Sequence, residues 1–504
     1  MLELRSYLGG QWRAGGGARQ TLLNPATEAP LASASTEGLD LGAALEHARA
    51  KGGPALRALS FAQRGALIKG IADAMQDARD EPIGLGISNG GNTRSDAKFD
   101  VDGAIATLLA YAEIGTSLGD QKVILDGEGI QLGRSPRFHG QHVLTPRRGV
   151  AVHVNAFNFP AWGFAEKAAV ALLAGMPVLA KPATSSALLA VRIVELLVEQ
   201  KLLPEGALSL LVGAPRDLIK CLGAQDVLAF TGSGDTGERI RTLPNIIRHA
   251  VRVNVEADSL NAAVLGPDVE PRSDMYELFL KEVVRDMTQK AGQKCTAIRR
   301  IIVPAGVAAE VKSDLAELLA VVKVGDPADE ETKMGPLATA SQLADAHAGV
   351  ERLGGKIAFG GTGKVLERGF FISPILIDEP GSAVHEHEVF GPIASLIAYS
   401  EDLAAIVTRG NGGLVCSIYS EDHGFLDATV AEIAPFHGRI YLGHPKIELS
   451  PGPGTVLPQL VHGGPGKAGG GEELGGARGL AFYLQRTALE GSRPVIAKIT
   501  GIKP

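Results

Sequence analysis

Apolar residues recur at helical spacing from about Leu41 to Leu118, as in Ala66, Ile68, Ile71, Ala72 and Met75, which predicts a mostly helical stretch. The first 30 residues before it predict two short strands and a turn, with Asn24-Pro25-Ala26-Thr27 as the turn signal. From Gly149 to Val255 the pattern changes to strand–helix alternation. Val150–Val154 is a short β-branched run, and Ala161–Ala174 predicts a helix that stops at Gly175. Pro177–Ala180 is apolar and extended, and Ser186–Lys201 is a periodic helix. Leu208–Val212, Val227–Phe230 and Val251–Val255 predict further strands. Such alternation implies βαβ units around a parallel sheet, which binds ligands at the carboxyl ends of its strands.

Met275–Thr288 predicts another helix, and a second alternating region runs from Arg299 to about Tyr419. Val123–Arg147 is polar, strand-like and punctuated by Gly and Pro, and the tail from about Ala481 to Pro504 is also strand-like. Neither has a helix to cover it, so both are expected to pair outside their own domain. Gly463–Gly476 is Gly-rich but bracketed by ordered-looking sequence, and no internal repeat is visible.

A length of 504 residues exceeds one compact core, so two or three domains are expected. Hydrophobic residues at 45% and charged residues at 21% are ordinary globular values. The net charge of −7, without a basic block, leaves no electrostatic footprint for nucleic acid. No apolar run reaches the roughly 18 residues of a spanning helix, and MLELRSYLGGQW lacks the layout of a signal peptide. No membrane and a cytoplasmic location are expected. Cys221, Cys295 and Cys416 are too scattered to suggest a disulfide framework or a zinc site.

Gly292-Gln293-Lys294-Cys295-Thr296 draws the chemistry together. An isolated Cys is more often a small buried hydrophobe. Here its flanks are polar and it follows a helix, a position that can expose a thiol and lower its pKa. A Cys nucleophile needs a base and an oxyanion stabiliser. Glu256 follows the strand Val251–Val255, and Asn158 follows the strand Val150–Val154, at equivalent sheet edges. Each alone reads as a loop residue or a cap. Phe230–Gly237 is a glycine-rich turn whose amides suit a pyrophosphate, although it is not the GxGxxG fingerprint. Lys181 ends another strand before Pro182.

In order along the chain, these segments resemble the aldehyde dehydrogenase superfamily, from Asn24–Thr27 to the glycines near Gly475. Asn155–Pro160 with Trp162 and Lys167 resembles its Asn-Phe-Pro segment, and Lys181-Pro182-Ala183 its adenosine-ribose motif. Phe230–Gly237 is similar to its phosphate turn, Gly292–Cys295 to its nucleophile loop, and Glu388-Val389-Phe390-Gly391-Pro392 to its nicotinamide-ribose motif. The resemblance implies an α/β fold with a Rossmann-like parallel-sheet cofactor domain (1–122 and 148–255), an α/β catalytic domain (256–480) and a small β oligomerisation flap (123–147 and 481–504). It implies Cys295 as nucleophile, Glu256 as general base, and Asn158 with the Cys295 amide as oxyanion hole. Lys181, Thr184, Ser185, Ser233, Phe157, Glu388 and Phe390 become cofactor residues. A homodimer or dimer of dimers is implied by the flap.

The departures narrow this further. The usual base context Glu-Leu-Gly-Gly-Lys is Glu256-Ala257-Asp258-Ser259 here, and the usual Pro-Phe-Gly-Gly is His462-Gly463-Gly464-Pro465. That variant resembles the dehydrogenase half of the ring-opening enzymes of phenylacetyl-CoA breakdown; with no length left for their hydratase domain, the stand-alone relatives of aerobic benzoyl-CoA degradation are the nearer match. These imply a CoA-linked semialdehyde, 3,4-dehydroadipyl-CoA semialdehyde, as substrate, with Arg134, Arg137, Arg147 and Arg148 as candidates for binding CoA. NAD-preferring relatives carry a Glu where this chain has neutral Thr184, so NADP is the expected cofactor, with Arg216 near the same edge. Alternatives are a dehydrogenase of free semialdehydes, an acylating relative, which generally lacks the base, and a non-catalytic protein like the crystallins. His385-Glu386-His387-Glu388 has the wrong spacing for a helical HExxH metal site, so no metal is expected.

Overall fold

The computed structural model describes residues 1–447, 450–472 and 475–501. One seven-stranded sheet runs, in spatial order, Arg252–Glu256, Val227–Thr231, Ala151–Val154, Val178–Lys181, Leu208–Leu210, Ser6–Leu8 and Gln11–Arg13. Its first five strands are parallel, and the N-terminal hairpin closes the far edge antiparallel. The chain starts in the middle, at Ala151–Val154, builds outward to Leu208–Leu210, then returns to the other side. The carboxyl ends of Ala151–Val154 and Val227–Thr231 therefore flank a topological switch point, where such sheets hold ligands.

The helix Trp162–Ala174 follows the central strand and is buried along almost its whole length. Its N-cap, Ala161, has no side chain to accept a hydrogen bond. Asp100, from the long helix Arg94–Leu118, supplies the missing carboxylate, accepting from the amides of Ala161 at 3.2 Å and Trp162 at 2.8 Å. Gly175 ends the helix with φ +86°, as the sequence pattern requires.

A second seven-stranded sheet runs Lys356–Phe359, Ile375–Asp378, Ile393–Tyr399, Arg300–Pro304, Ala262–Leu265, Gly413–Tyr419 and His437–Gly443. All its pairings are parallel except that of the first strand. Ala262–Leu265, near its centre, lies ahead of the region where the sequence pattern begins the second alternation. Its four buried residues are too short a run to stand out. The N-terminal segment likewise holds five short strands through Ala34, where two were expected. Asn24 does make the turn, its side-chain oxygen accepting from the amides of Ala26 and Thr27.

The two segments without helical cover pair with each other. Leu484–Ser492 lies antiparallel to Phe138–Pro146 over its full length, with Ile124–Leu125 and Ile130–Gln131 completing a small sheet. The tail is not strand throughout. Leu480–Tyr483 is a helical turn and Arg493–Thr500 a helix, with Pro494 in its first turn and Gly501 at φ +74° past its end. Those two residues are helix punctuation that the β-branched run between them outweighed in the sequence reading. Residues 502–504 of that expected strand lie outside the described residues. Among the described residues, no helix is long and apolar enough to cross a membrane.

The segment Gly292–Thr296 is anchored to this frame by a buried ion pair. Lys294 Nζ sits 2.6 Å from Asp286 Oδ1, both side chains at most 1% exposed. Lys294→Met strands a carboxylate in the interior, so stability should fall by about 3–5 kcal/mol, and Lys294→Met/Asp286→Leu should recover much of it. Urea unfolding of both variants checks this; a loss below about 1 kcal/mol in the single variant contradicts it.

Candidate active site

After the helix Asp274–Thr288, three successive residues adopt left-handed backbone: Lys290 at φ +54°, Ala291 at +52° and Gly292 at +67°. A non-Gly residue held there costs roughly 1–3 kcal/mol, so surrounding contacts must hold the turn. The Lys290 ammonium meets Asn92 Oδ1 at 3.1 Å and lies 4.6 Å from the centre of the Phe159 ring. Position 292 admits only glycine, because a Cβ there would lie 2.2 Å from the Gly391 carbonyl oxygen. The turn delivers Cys295 half-buried at the point where the two large sheets meet.

Arg299 fastens this loop to a second one. Its guanidinium donates to the carbonyls of Gly292, Lys294 and Gly391 and to Glu388 Oε1 at 3.1 Å. Burial pushes the Glu388 carboxyl up to about 7 even though Arg299 pulls it down. Asn261 Nδ2 holds the Cys295 carbonyl at 2.8 Å. Asn158 Nδ2 donates to the Gln293 carbonyl at 3.0 Å, which leaves its second N–H for another acceptor.

Glu256 ends its strand, buried, and touches a residue to which the sequence reading gave no role. His462 Nε2 lies 3.0 Å from Glu256 Oε1 and 3.8 Å from Cys295 Sγ. Burial alone would raise the Glu256 carboxyl, but the charge and hydrogen bond of His462, with Lys167 and the Cys295 thiol, pull it below its ordinary value. Glu256 in turn outweighs burial to raise His462. The Cys295 thiol goes the other way from the sequence expectation. Burial, then the Glu256 carboxylate, Glu166 and Glu388, push it well up. The groups responsible come from other elements, which the local sequence around Cys295 does not reveal.

Two openings meet at Cys295. A cleft of about 670 Å³ is lined by Phe157, Asn158, Ala183, Ser233, Glu256, Asp258, Cys295, Glu388 and Phe390, among others. The rings of Phe157 and Phe390 meet edge to face at 5.8 Å. A far narrower passage, about 40 Å³, approaches from the other side between Phe99, Phe159, Trp162 and Val456. Asn158, Glu256 and Cys295 line both.

The structure thus brings together Cys295, Glu256, Asn158, Phe157, Ser233, Glu388 and Phe390. Lys181, Thr184 and Ser185 sit beside them at the same sheet edge, though only Ala183 of that segment lines the cleft. Burial lowers Lys181 to about 8. At the glycine-rich turn one amide is already engaged, Gly234 donating to Asp258 Oδ1 at 3.0 Å. Arg216 pairs with Glu37 at 3.5 Å, which offsets the charge it was expected to offer. Arg147 and Arg148 precede the strand Ala151–Val154 and so lie at the amino edge, away from Cys295. Arg147 is buried against the carbonyls of Ala224 and Gln225, which removes it as a CoA contact. His385 meets Arg300 at 3.3 Å while Glu386 and His387 are exposed, so that run does not converge. Among the described residues, the ligand-type atoms that do converge, within 4.8 Å, belong to Glu256, Cys295 and His462.

A model of the aldehyde dehydrogenase family matches residues 12–489. The chain is 44% identical, over 92% of its length and 93% of the relative's, to a 3,4-dehydroadipyl-CoA semialdehyde dehydrogenase of Aromatoleum evansii. The solved lactaldehyde dehydrogenase of Escherichia coli shares its fold, with a TM-score of 0.86 at 24% identity over 97% of this chain and 99% of that one. So does a betaine aldehyde dehydrogenase of Staphylococcus aureus solved in complex with NAD+, at a TM-score of 0.83 and 22% identity over 97% and 96% of the two chains. With a family model over most of its length and a relative 44% identical over 92% of it, the chain is an enzyme and belongs to the aldehyde dehydrogenase family.

Proposed function

We propose that the enzyme oxidises a CoA-linked semialdehyde to its carboxylate with NADP, through a thioester on Cys295. The carrying observation is that both openings end at Cys295. The wall of the narrow one, Phe99, Phe159 and Trp162, suits methylenes. The wide one has the volume of a cofactor site. The substrate of the Aromatoleum evansii relative, a CoA-linked semialdehyde, supports the choice of class.

In this reading the Cys295 thiolate adds to the aldehyde carbon, and the carbonyl π pair moves to oxygen. The free N–H of Asn158 and the Cys295 amide receive that oxyanion. Phe157, Glu388 and Phe390 would hold a nicotinamide in the cleft, and it would supply the acceptor for the hydride. Water then attacks the thioester, Glu256 takes its proton, and the acid leaves as the thiolate is restored. Glu256→Gln should release about one reduced cofactor per site and then stop, whereas Cys295→Ala should bind cofactor and release none. Stopped-flow absorbance separates the two, and a steady-state rate near wild type in either variant removes that residue from the scheme.

Cofactor preference turns on Thr184, buried beside Ala183 at the edge of the cleft. A Glu there would repel a 2′-phosphate; a Thr hydroxyl donates to one. Lys181 adds charge. Thr184→Glu should therefore raise the KM for NADP and turn the enzyme toward NAD. Specificity constants for both cofactors, taken with CoA-linked and free semialdehydes, check cofactor and substrate together. A wild-type preference for NAD defeats the first assignment, and equal use of free and CoA-linked semialdehydes defeats the second.

The sheet of Leu484–Ser492 and Phe138–Pro146 leaves the outer edge of Leu484–Ser492 without a strand partner among the described residues, and exposed edges are normally covered. We assign 123–147 and 481–504 to an oligomerisation flap, 1–122 and 148–255 to cofactor binding, and 256–480 to catalysis. A homodimer or dimer of dimers follows, in the cytoplasm, where the free thiols of Cys221, Cys295 and Cys416 stay reduced. Light scattering should return at least twice the 52.4 kDa chain mass at micromolar concentration; a monomer there contradicts the flap assignment.

A further inference from the structure

His462 stands at the heart of the site through a specific piece of backbone packing. The glycine-rich loop that carries it lies directly on the strand Arg252–Glu256. The Ala257 amide donates to the Ala468 carbonyl at 3.2 Å. Arg241 donates to the Gly469 carbonyl. A Cβ at position 469 would fall 2.1 Å from the Val255 carbonyl oxygen, so only glycine allows the approach. The loop thereby sets the imidazole against the carboxylate one residue further along that strand.

The contact has one chemical direction. Glu256 Oε1 can only accept as a carboxylate, so His462 Nε2, 3.0 Å away, is the donor. The two side chains are each about 5% exposed, and a buried carboxylate without a partner is strongly disfavoured as an anion. The other charged groups around the imidazole do not do this work. Cys295 Sγ is 3.8 Å away. Glu166 adds negative charge while pairing with Lys167 at 2.7 Å, and Arg439 adds positive charge while donating to the carbonyls of Pro453 and Thr455. The imidazole is the cation-forming group in direct contact with Glu256.

We propose that His462 is a positioning residue for the hydrolytic half of the reaction: its imidazole holds the Glu256 carboxylate beside Cys295 and supplies the positive partner that this buried acid requires. The inference rests on the reading of Glu256 as the hydrolytic base. A base works only while unprotonated. Because His462 pulls Glu256 downward, the base remains available as pH falls. Without His462 the effect of burial is opposed only by the charge of Lys167 and the Cys295 thiol, and the base is lost at higher pH. No atom is transferred to His462 in this role; the proton taken from water goes to Glu256.

The test uses the enzyme with hexanal, a linear aldehyde, and saturating NADP. His462→Phe removes both the hydrogen bond and the charge. His462→Gln keeps an N–H within similar reach and removes only the charge, so it decides the matter if the Phe variant folds poorly. The initial burst of reduced cofactor should persist in both. The acid limb of the steady-state rate should move up by about 1–3 pH units in His462→Phe and by less in His462→Gln. An acid limb at the wild-type position in a folded variant overturns the inference, as does loss of the burst together with the steady-state rate. Glu256→Gln, run alongside, separates the two failures. Normal turnover in that variant sinks the base assignment itself; a burst without turnover, with His462 variants of unchanged pH profile, sinks only the role of His462.

Discussion

The three left-handed residues before Cys295 are the constraint on which the site depends. They follow closely on the helix Asp274–Thr288, and locally only the backbone and side-chain amides of Gln293 reward the turn, both donating to the Lys290 carbonyl. It survives because distant groups hold it: Asn92 takes the Lys290 ammonium, Asp286 takes Lys294, and Arg299 takes the carbonyls of Gly292 and Lys294. Arg299 also reaches Glu388 and Gly391, so the nucleophile loop and the loop lining the cleft are fastened by one side chain. Such convergence makes the position of Sγ a property of the whole interface between the two large sheets.

Buried charge follows the same pattern. Glu256, Glu388, Lys181 and Cys295 lie within one region, and their proton affinities move in different directions. Burial acts on all four. Partners decide the outcome: His462 reverses it at Glu256, Arg299 only moderates it at Glu388, and the negative neighbours of Cys295 reinforce it. A neutral thiol is a poor nucleophile, so the proposed attack by Cys295 would depend on what enters the cleft and the passage.

Much of the site was legible in the sequence because its local geometry has few solutions. A glycine beside a foreign carbonyl, as at Gly292, and a strand followed by Asn155–Pro160 leave marks a reader can find without coordinates. The doubly wound order of the first sheet followed from strand–helix alternation, and Gly175 ends its helix where the pattern says. His462 was visible only as a departure from the usual Pro-Phe-Gly-Gly, since its partner Glu256 is 206 positions away and no local pattern links them. The outcome at Cys295 was hidden for the same reason: a thiol pKa depends on burial and on neighbours from other elements, here Glu256, Glu166 and Glu388. The C-terminal helix was lost to its β-branched residues, and the fates of Arg147 and Arg216 to hydrogen bonds made across the fold.

The pairing of Leu484–Ser492 with Phe138–Pro146 sets the order in which the chain can mature. Arg147 and Gln485, which bond across the base of that ladder, are 338 residues apart. At a synthesis rate of about 5–20 residues per second, Phe138–Pro146 waits roughly 20–70 s for its longest partner to be made. Both large sheets can be complete by then, since their strands all lie before position 444. During that interval the waiting strand offers an open backbone edge to any neighbour on the same ribosome cluster. Its His139-Gly140-Gln141-His142 stretch and closing Pro146 make it a poor template for mispairing. The strand Leu484–Ser492 is thus added to a body whose two large sheets can already have formed.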